Sequence, residues 1–421
     1  MLYEHWRRVA QERRHELALR DLATGQRWTF AELAEARTPP PPIQHGVVFP
    51  QGNRARFILD VLHAWRTGSI VCPLEPGQLP PLEILGAGPI PPTGIVHLKT
   101  TSATTGAARL IASTAQQMAA DAAQIVRTMG LRPDWPNLGV ISLAHSYGYS
   151  NLVLPLLLHG IPLFLLESPL PEAMRRAGAL GLELTLAAVP ALWRAWHEAA
   201  SIPPSLHLAI SAGAPLPLPL ETSVFAACQV KLHNFYGASE CGGIAYDASS
   251  IPRTDAACAG SPLHGVDVST DQAGCLEVRS PAVAETYWPH PEPSLGSGWY
   301  RTADLAELDE GLVRLRGRAG DQINIAGRKV SPDIIEHQLR QHQHVRDCLI
   351  FGAPSPGKDR VEMIVACVVA GPAVSADELR RFLLSRLPAW QVPREWKLVD
   401  SLAPNERGKL SRADWRKRLG Y

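Results

Sequence analysis

The sequence has no CxxC pair, no apolar leader and no clean apolar run long enough to cross a bilayer, and each absence removes a class of protein. Its seven cysteines, at 72, 228, 241, 258, 275, 348 and 367, are odd in number and scattered. That argues against a disulfide framework or a zinc site and reads as reduced cytoplasmic thiols. The first residues, MLYEHWRRVAQERRHELAL, are charged throughout, so nothing there directs export. The most apolar stretch, Leu152 to Leu166, is interrupted by Pro155, His159, Gly160 and Pro162. It falls short of the roughly 20 apolar residues of a spanning helix and reads as a buried helix end, a turn and a core strand. An excess of one charge is lacking too: 41 Lys plus Arg face 40 Asp plus Glu. No broad field exists to hold nucleic acid or an anionic membrane, so any anion site must be local.

What is present is alternation. A chain of 421 residues exceeds one ordinary core, and a large unit with a small one attached fits that length. Gly46 to Phe49, Phe57 to Trp65 and Ser69 to Pro73 read as strand, helix and strand. The pattern recurs with Leu138 to Leu143, a helix, then Ile161 to Leu166, and again with Leu184 to Val189, a Trp-rich helix, then Leu206 to Ser211. Such repetition predicts an α/β fold with buried, largely parallel strands. Pro39 to Pro42 and Gly86 to Gly94 read as exposed loops. From about Gly274 short alternating strands take over, with Leu305 to Leu308 and Leu312 to Leu315 flanking Asp309, Glu310 and Gly311 as a hairpin. Ser331, Pro332 and Asp333 then open a helix with Ile335 and Leu339 on one face, and Ser375 to Glu378 is a capping box. These elements predict a small α+β unit beginning near residue 318.

Five segments carry chemistry. TTSATTGAARL, residues 100 to 110, packs hydroxyl side chains and one glycine between apolar Ile95 to Leu98 and a helix expected from Ser113. Hydroxyls and free N–H groups suit phosphate oxygens, although GxxxxGK[ST] is absent and the loop alone reads more readily as a Ser/Thr-rich surface turn. NFYGASE (234 to 240) sets an aromatic residue, a glycine, a hydroxyl and a carboxylate close together. WYRTADL (299 to 305) offers Asp304, and GRAGDQINIAGRKVSPDIIE (317 to 336) offers Arg318, Gly327 and Lys329. PNERGKLSR (404 to 412) presents Lys409 after a glycine. Singly these are a core aromatic, a turn acid and a solvated lysine; their order along one chain is the signal.

Together they resemble the adenylate-forming superfamily of acyl- and aryl-CoA synthetases, from ALRDLATGQRWTFAELAE (18 to 35) to Lys409. The resemblance implies a large N-terminal domain, 1–317, with parallel sheets flanked by helices plus a β-rich subdomain, and a small mobile α+β C-terminal domain, 318–421. It implies ATP, Mg²⁺ and coenzyme A as cofactors and a small-molecule carboxylic acid as partner. Thr101, Ser102, Thr104, Thr105, Gly106 and Arg109 would hold the nucleotide phosphates, with Thr104 and Glu240 at the metal. Gly213, Ala214, Pro215, Phe235, Tyr236, Gly237 and Ser239 would complete the AMP site, Tyr236 near the adenine, and Asp304 with Arg318 would hold the ribose. His145, Tyr147, Gly148, Ala212, Gly213 and Gly242 would line the acyl pocket, where the Gly242 and Gly243 pair should leave open space. Lys409, Glu240 and His145 are the implied catalytic residues. Gly327, Arg328 and Lys329 would meet the pantetheine arm, with Gly320 as hinge.

HSYG in ISLAHSYGYSN (141 to 151) matches the family's HxxG segment and lacks the aspartate typical of α-amino-acid activators, so the expected acid is aryl or fatty acyl. The pattern departs from the family at Ala103, Ala108, Arg109 and Gly320. An acyl carrier protein is an alternative thiol acceptor, and a degenerate fold that binds nucleotide without turnover is the non-enzymatic alternative. Oligomeric state is not specified.

Overall fold

The computed structural model describes residues 1–36, 39–81, 84, 91–100, 110–325, 328–355, 362–371, 374–402 and 411–421. Six parallel strands lie side by side in the order Leu17–Asp21, Leu163–Leu165, Asn137–Gly139, Leu184–Ala188, Leu206–Ser211 and Leu232–Ala238. The inner strands are apolar without alternation because helices cover both faces; every residue of Leu184–Ala188 is buried. One cover is Ala115–Met129, opened by the Thr114–Gln117 capping box and stopped by left-handed Gly130. Another is Pro190–Glu198, which sinks Trp193 and Trp196 edge to face into the core.

Leu232–Ala238 is a seam. It pairs in parallel with Leu206–Ser211 on one side and antiparallel with Gly242–Tyr246 on the other. Beyond it the sheet continues antiparallel through Cys258–Pro262, Leu312–Arg318, Trp299–Asp309, Cys275–Arg279 and Asp267–Thr270. The expected hairpin closes on Glu310 and Gly311, both at positive φ, as a two-residue turn between paired Asp309 and Leu312 requires.

A second sheet runs Thr286–Trp288, Leu110–Thr114, Ile95–Thr100, Ile70–Val71, Val47–Val48 and Ile43–Gln44. Here one expectation is corrected: Ser113 is strand, paired with His97, and the helix starts at Ala115. Hydrogen bonds to Ile95–Thr100 outcompete the helical continuation until Thr114 can cap. The 39–42 segment is irregular as read, although Pro41 is buried.

The apolar core of these sheets draws on residues from Leu2 to Val313. Two further clusters draw only on Ile323 and later residues. They fill the space around the antiparallel pair Val345–Pro354 and Glu362–Ala370, with Glu395–Leu398 added in parallel. Helices Pro332–Leu339, Ala376–Leu384 and Arg412–Arg418 pack there, the first capped by Ser331 with Ile335 and Leu339 fully buried. None of the described helices is long and apolar enough to cross a membrane.

Candidate active site

The carboxyl ends of the parallel strands open onto the seam, the usual ligand position in such sheets. Strand alternation sends Tyr236 and Phe235 to opposite faces. Tyr236 Oη donates to Asp304 Oδ2 at 2.6 Å, and Arg318 Nε donates to Asp304 Oδ1 at 2.9 Å. Asp304 and Arg318 face each other across the hairpin register, so the ladder itself makes their pairing. Burial, then the Asp304 charge, raises the Tyr236 phenol well above its usual range, so it stays a neutral donor. Each Asp304 oxygen keeps a free lone pair.

Phe235 is buried, packs 6.0 Å from the Tyr147 ring, and lies on the far side from that wall. Gly237 is required by close approach, since a Cβ there would sit 2.5 Å from the Gly242 carbonyl oxygen. Ser239 accepts from Ser146 Oγ at 2.8 Å, tying the seam to the HSYG turn. Glu240 Oε1 accepts from Tyr287 Oη at 3.0 Å. Gly213, Ala214 and Pro215 form an exposed turn after Leu206–Ser211, with Gly213 at φ 83° and Ala212 buried.

His145 starts the short helix Ser146–Gly148, 60% of its side chain exposed, with Nε2 3.4 Å from Glu75 Oε1. Glu75 also accepts a short bond from Ser142 Oγ. Tyr147 Oη reaches 3.4 Å from the Ile210 carbonyl and 3.5 Å from that of Ala188, bridging two strand ends. Burial pushes this phenol up as well. Gly148 admits no side chain, because a Cβ would lie 2.0 Å from the Ser142 carbonyl oxygen.

The open space expected at Gly242 and Gly243 is not there. A Cβ on Gly242, at φ 72°, would overlap Asp121 Oδ1 at 2.0 Å, and one on Gly243 would meet Leu263 Cδ2 at 2.4 Å. These glycines admit neighbours from other elements rather than a ligand. Among the hinge and thiol residues, a Cβ on Gly320 would meet nothing within 4 Å, Arg328 lies over the Trp390 ring at 5.6 Å, and Lys329 is exposed. Thr101, Ser102, Thr104, Thr105, Gly106, Arg109, Gly327 and Lys409 lie outside the described residues.

Sequence reasoning missed the supports. Lys231 Nζ is buried between Glu221 and Asp247, 2.6 Å from each, and Arg253 Nε joins Glu221 at 3.0 Å. Arg253 also donates to the Leu216 carbonyl, bracing the 212–217 turn. Glu75, Tyr287 and Asp121 support site residues in the same way, and no local pattern announces any of them.

An AMP-binding enzyme family model matches residues 52–288, and its C-terminal domain model matches 334–409. The chain belongs to the AMP-binding enzyme family. Curated relatives include the probable 2-succinylbenzoate–CoA ligase of Mycobacterium tuberculosis, 28% identical over 86% of this chain and 95% of that protein. A feruloyl-CoA synthase of Amycolatopsis is 27% identical over 66% of this chain and 60% of its own length. Among solved structures, ATP-bound MatB from Rhodopseudomonas palustris superposes with a TM-score of 0.85 at 20% identity, covering 100% of this chain and 99% of that one. Bacillus subtilis o-succinylbenzoate CoA synthetase, with its acyl-adenylate, gives 0.82 at 21%, covering 98% and 97%. These two establish the fold.

Proposed function

We propose that this enzyme converts a carboxylic acid to its acyl-adenylate with ATP and then to a thioester with coenzyme A. The observation that carries this reading is the joined Tyr236–Asp304–Arg318 wall at the sheet seam, with Tyr236 inside the segment matched to the AMP-binding family. Its first step forms a bond between a carboxylate oxygen and the α-phosphorus and breaks the α–β phosphoanhydride, releasing pyrophosphate. Two anions must approach each other, so fixed positive charge governs the rate. Lys409 supplies that charge between the reacting groups, and the 101–109 segment with Arg109 receives the leaving phosphates. Asp304 accepts from the ribose hydroxyls, and Ser239, held by Ser146, donates to the α-phosphate.

Glu240 suits a hard cation: one carboxylate oxygen is held by Tyr287 and the other is free to coordinate. Among the described residues no group of three or more acidic, His or Cys side chains is placed to hold a metal ion by itself, so Glu240 would hold the ion together with the nucleotide phosphates. Such an ion, when bound, neutralises charge on the leaving group. In the second step the thiol sulfur bonds to the acyl carbon, AMP leaves, and the thiol proton passes to solvent. Residues 318–421 act as the moving domain that presents Lys409 for one step and Gly327, Arg328 and Lys329 for the other.

Pyrophosphate release with a panel of acids, with and without coenzyme A, tests this. Acid-dependent pyrophosphate and consumption of coenzyme A are expected; no pyrophosphate with any acid would overturn the reading. Adenylate formation that never consumes coenzyme A would move the acceptor to a carrier-protein phosphopantetheine. A Streptomyces coeruleorubidus relative of that named activity, fatty acid–[acyl-carrier-protein] ligase, is 29% identical over 51% of this chain and 45% of its own length.

A further inference from the structure

Arg253 is buried under the turn that follows Leu206–Ser211, in a charged network that neither chemical step uses. The register of the two parallel strands pairs Ser211 with Asn234, so the residues that continue from Ser211 leave the sheet beside Phe235 and Tyr236. Gly213, Ala214 and Pro215 are exposed there, with Gly213 left-handed at φ 83°. Prolines at 215 and 217 deprive this turn of N–H groups that could tie it to a neighbouring strand. Its anchor is Leu216, whose side chain is buried in the core and whose carbonyl accepts from Arg253 Nη2 at 2.9 Å. Among the described residues no other side chain hydrogen-bonds the turn.

The guanidinium is itself held on its other sides. Nε donates to Glu221 at 3.0 Å, Nη1 donates to the Cys258 carbonyl at 2.6 Å, and the Arg253 backbone N–H reaches the same Glu221 at 2.9 Å. Lys231 Nζ links Glu221 to Asp247 and places its third proton on the Leu232 carbonyl at 2.8 Å. Two cations and two anions thus balance, each less than a tenth exposed. Leu232 opens the strand that carries Tyr236, and Glu221 lies in the first turn of the helix Leu218–Cys228. Buried ion pairs can be replaced by apolar residues of similar volume with little loss of stability, so stability alone does not call for four charges here. What apolar side chains cannot supply is a directed bond to the Leu216 carbonyl. A planar fork braced on a carboxylate fixes that carbonyl relative to the Tyr236 strand.

Resting on the adenylation reading, we infer that Arg253 is a positioning residue for nucleobase selectivity. Through Leu216 it holds the exposed backbone of Gly213, Ala214 and Pro215 at a set distance from Tyr236, and that backbone tells adenine from guanine. Adenine carries an amino donor where guanine carries a keto acceptor. A turn held still matches one of these edges and leaves the other unpaired, whereas a turn free to shift adapts to both.

Calorimetric binding of AMP and GMP to the full-length chain, with pyrophosphate exchange beside it, tests this. The parent enzyme should bind AMP at least about 10²-fold tighter than GMP. Arg253→Lys keeps a cation beside Glu221 but loses the fork. It should reduce that ratio to within about tenfold and raise KM for ATP about tenfold, with kcat at saturating ATP within about threefold of the parent. The double variant Glu221→Gln with Arg253→Met removes one charge of each sign and should act likewise if the single variant does not fold, as judged by thermal melting. Asp247→Asn is the control: it takes a partner from Lys231 without touching the Leu216 bond, so it should lower the melting temperature and leave the AMP to GMP ratio within about twofold. A parent enzyme without base preference, or folded Arg253 variants that keep it, would overturn the inference. So would loss of the ratio in Asp247→Asn as large as in Arg253→Lys, which would make the network purely structural. Binding of AMP needs no acid, so these outcomes stand apart from the acid-activation reading, which fails if no acid supports exchange.

Discussion

The Tyr236–Asp304–Arg318 wall and the segment that follows Lys409 are held in opposite ways. Tyr236, Asp304 and Arg318 come from two adjoining parts of one continuous sheet and are joined without any ligand. Arg412, three residues after Lys409, is fixed wholly from its own side of the molecule. Its guanidinium reaches Asp321 at 2.7 Å, Asp333 at 2.6 Å and Glu336 at 2.9 Å, and Nε donates to the Ile350 carbonyl at 2.9 Å. Among the described residues, every ion pair made by a residue beyond 318 stays beyond 318. The wall is therefore held by the large sheet, and Arg412 by the residues after 318. Gly320, beside Asp321, sits where those residues meet the large sheet.

The strongest way to break this contrast is Lys409→Ala. Adenylation, read by pyrophosphate exchange, should fall about 10²–10³-fold while KM for ATP moves only a few-fold, because the lysine acts on charge that develops in the transition state. Thioester formation from a supplied acyl-adenylate should survive, and its loss would mean that the lysine serves both steps. Next comes Arg412→Ala. Removing the cation leaves three carboxylates facing one another, so the C-terminal region should lose about 3 kcal/mol and become sensitive to limited proteolysis, with the residues before 318 protected. Proteolysis spread evenly over the chain would deny that the region is an independent unit.

A smaller effect is expected from Asp304→Ala on the wall. KM for ATP should rise about tenfold or more, and Tyr236 and Arg318 lose their shared partner. An unchanged KM would remove Asp304 from the nucleotide site. Smallest is Tyr287→Phe, which deletes one hydrogen bond to Glu240, worth about 1 kcal/mol, and should raise the magnesium concentration needed for half-maximal rate several-fold. A magnesium titration superimposable on that of the parent enzyme would show that Glu240 needs no such support.

Legibility followed the same division. Tyr236, Asp304 and Arg318 were readable because the family resemblance is carried by local strings and because a hairpin turn, Glu310–Gly311, sets which residues face each other. The Ser331 cap and the buried face of Ile335 and Leu339 were readable from helical spacing. Ser113 was misread because a Ser-rich start and a strand partner compete, and only the pairing with His97 settles the contest. The supports could not be read at all. Glu75 lies 67 residues from Ser142, Tyr287 lies 47 from Glu240, and Asp121 lies 122 from Gly243. Hydrogen bonds over such separations leave no period and no motif.

Gly242 shows most plainly where the linear order stops deciding. Composition, alternation and five short strings, all properties of neighbours along the chain, were enough for the α/β class, the adenylating chemistry and the order of its parts. Whether the space beside Gly242 is open depends on which helix crosses it, and the helix that does so brings Asp121 to within contact. Burial, orphaned donors and the pairing of distant charges arise only when separate elements are packed to fill volume. The nature of the acid pocket was therefore a matter for the tertiary structure.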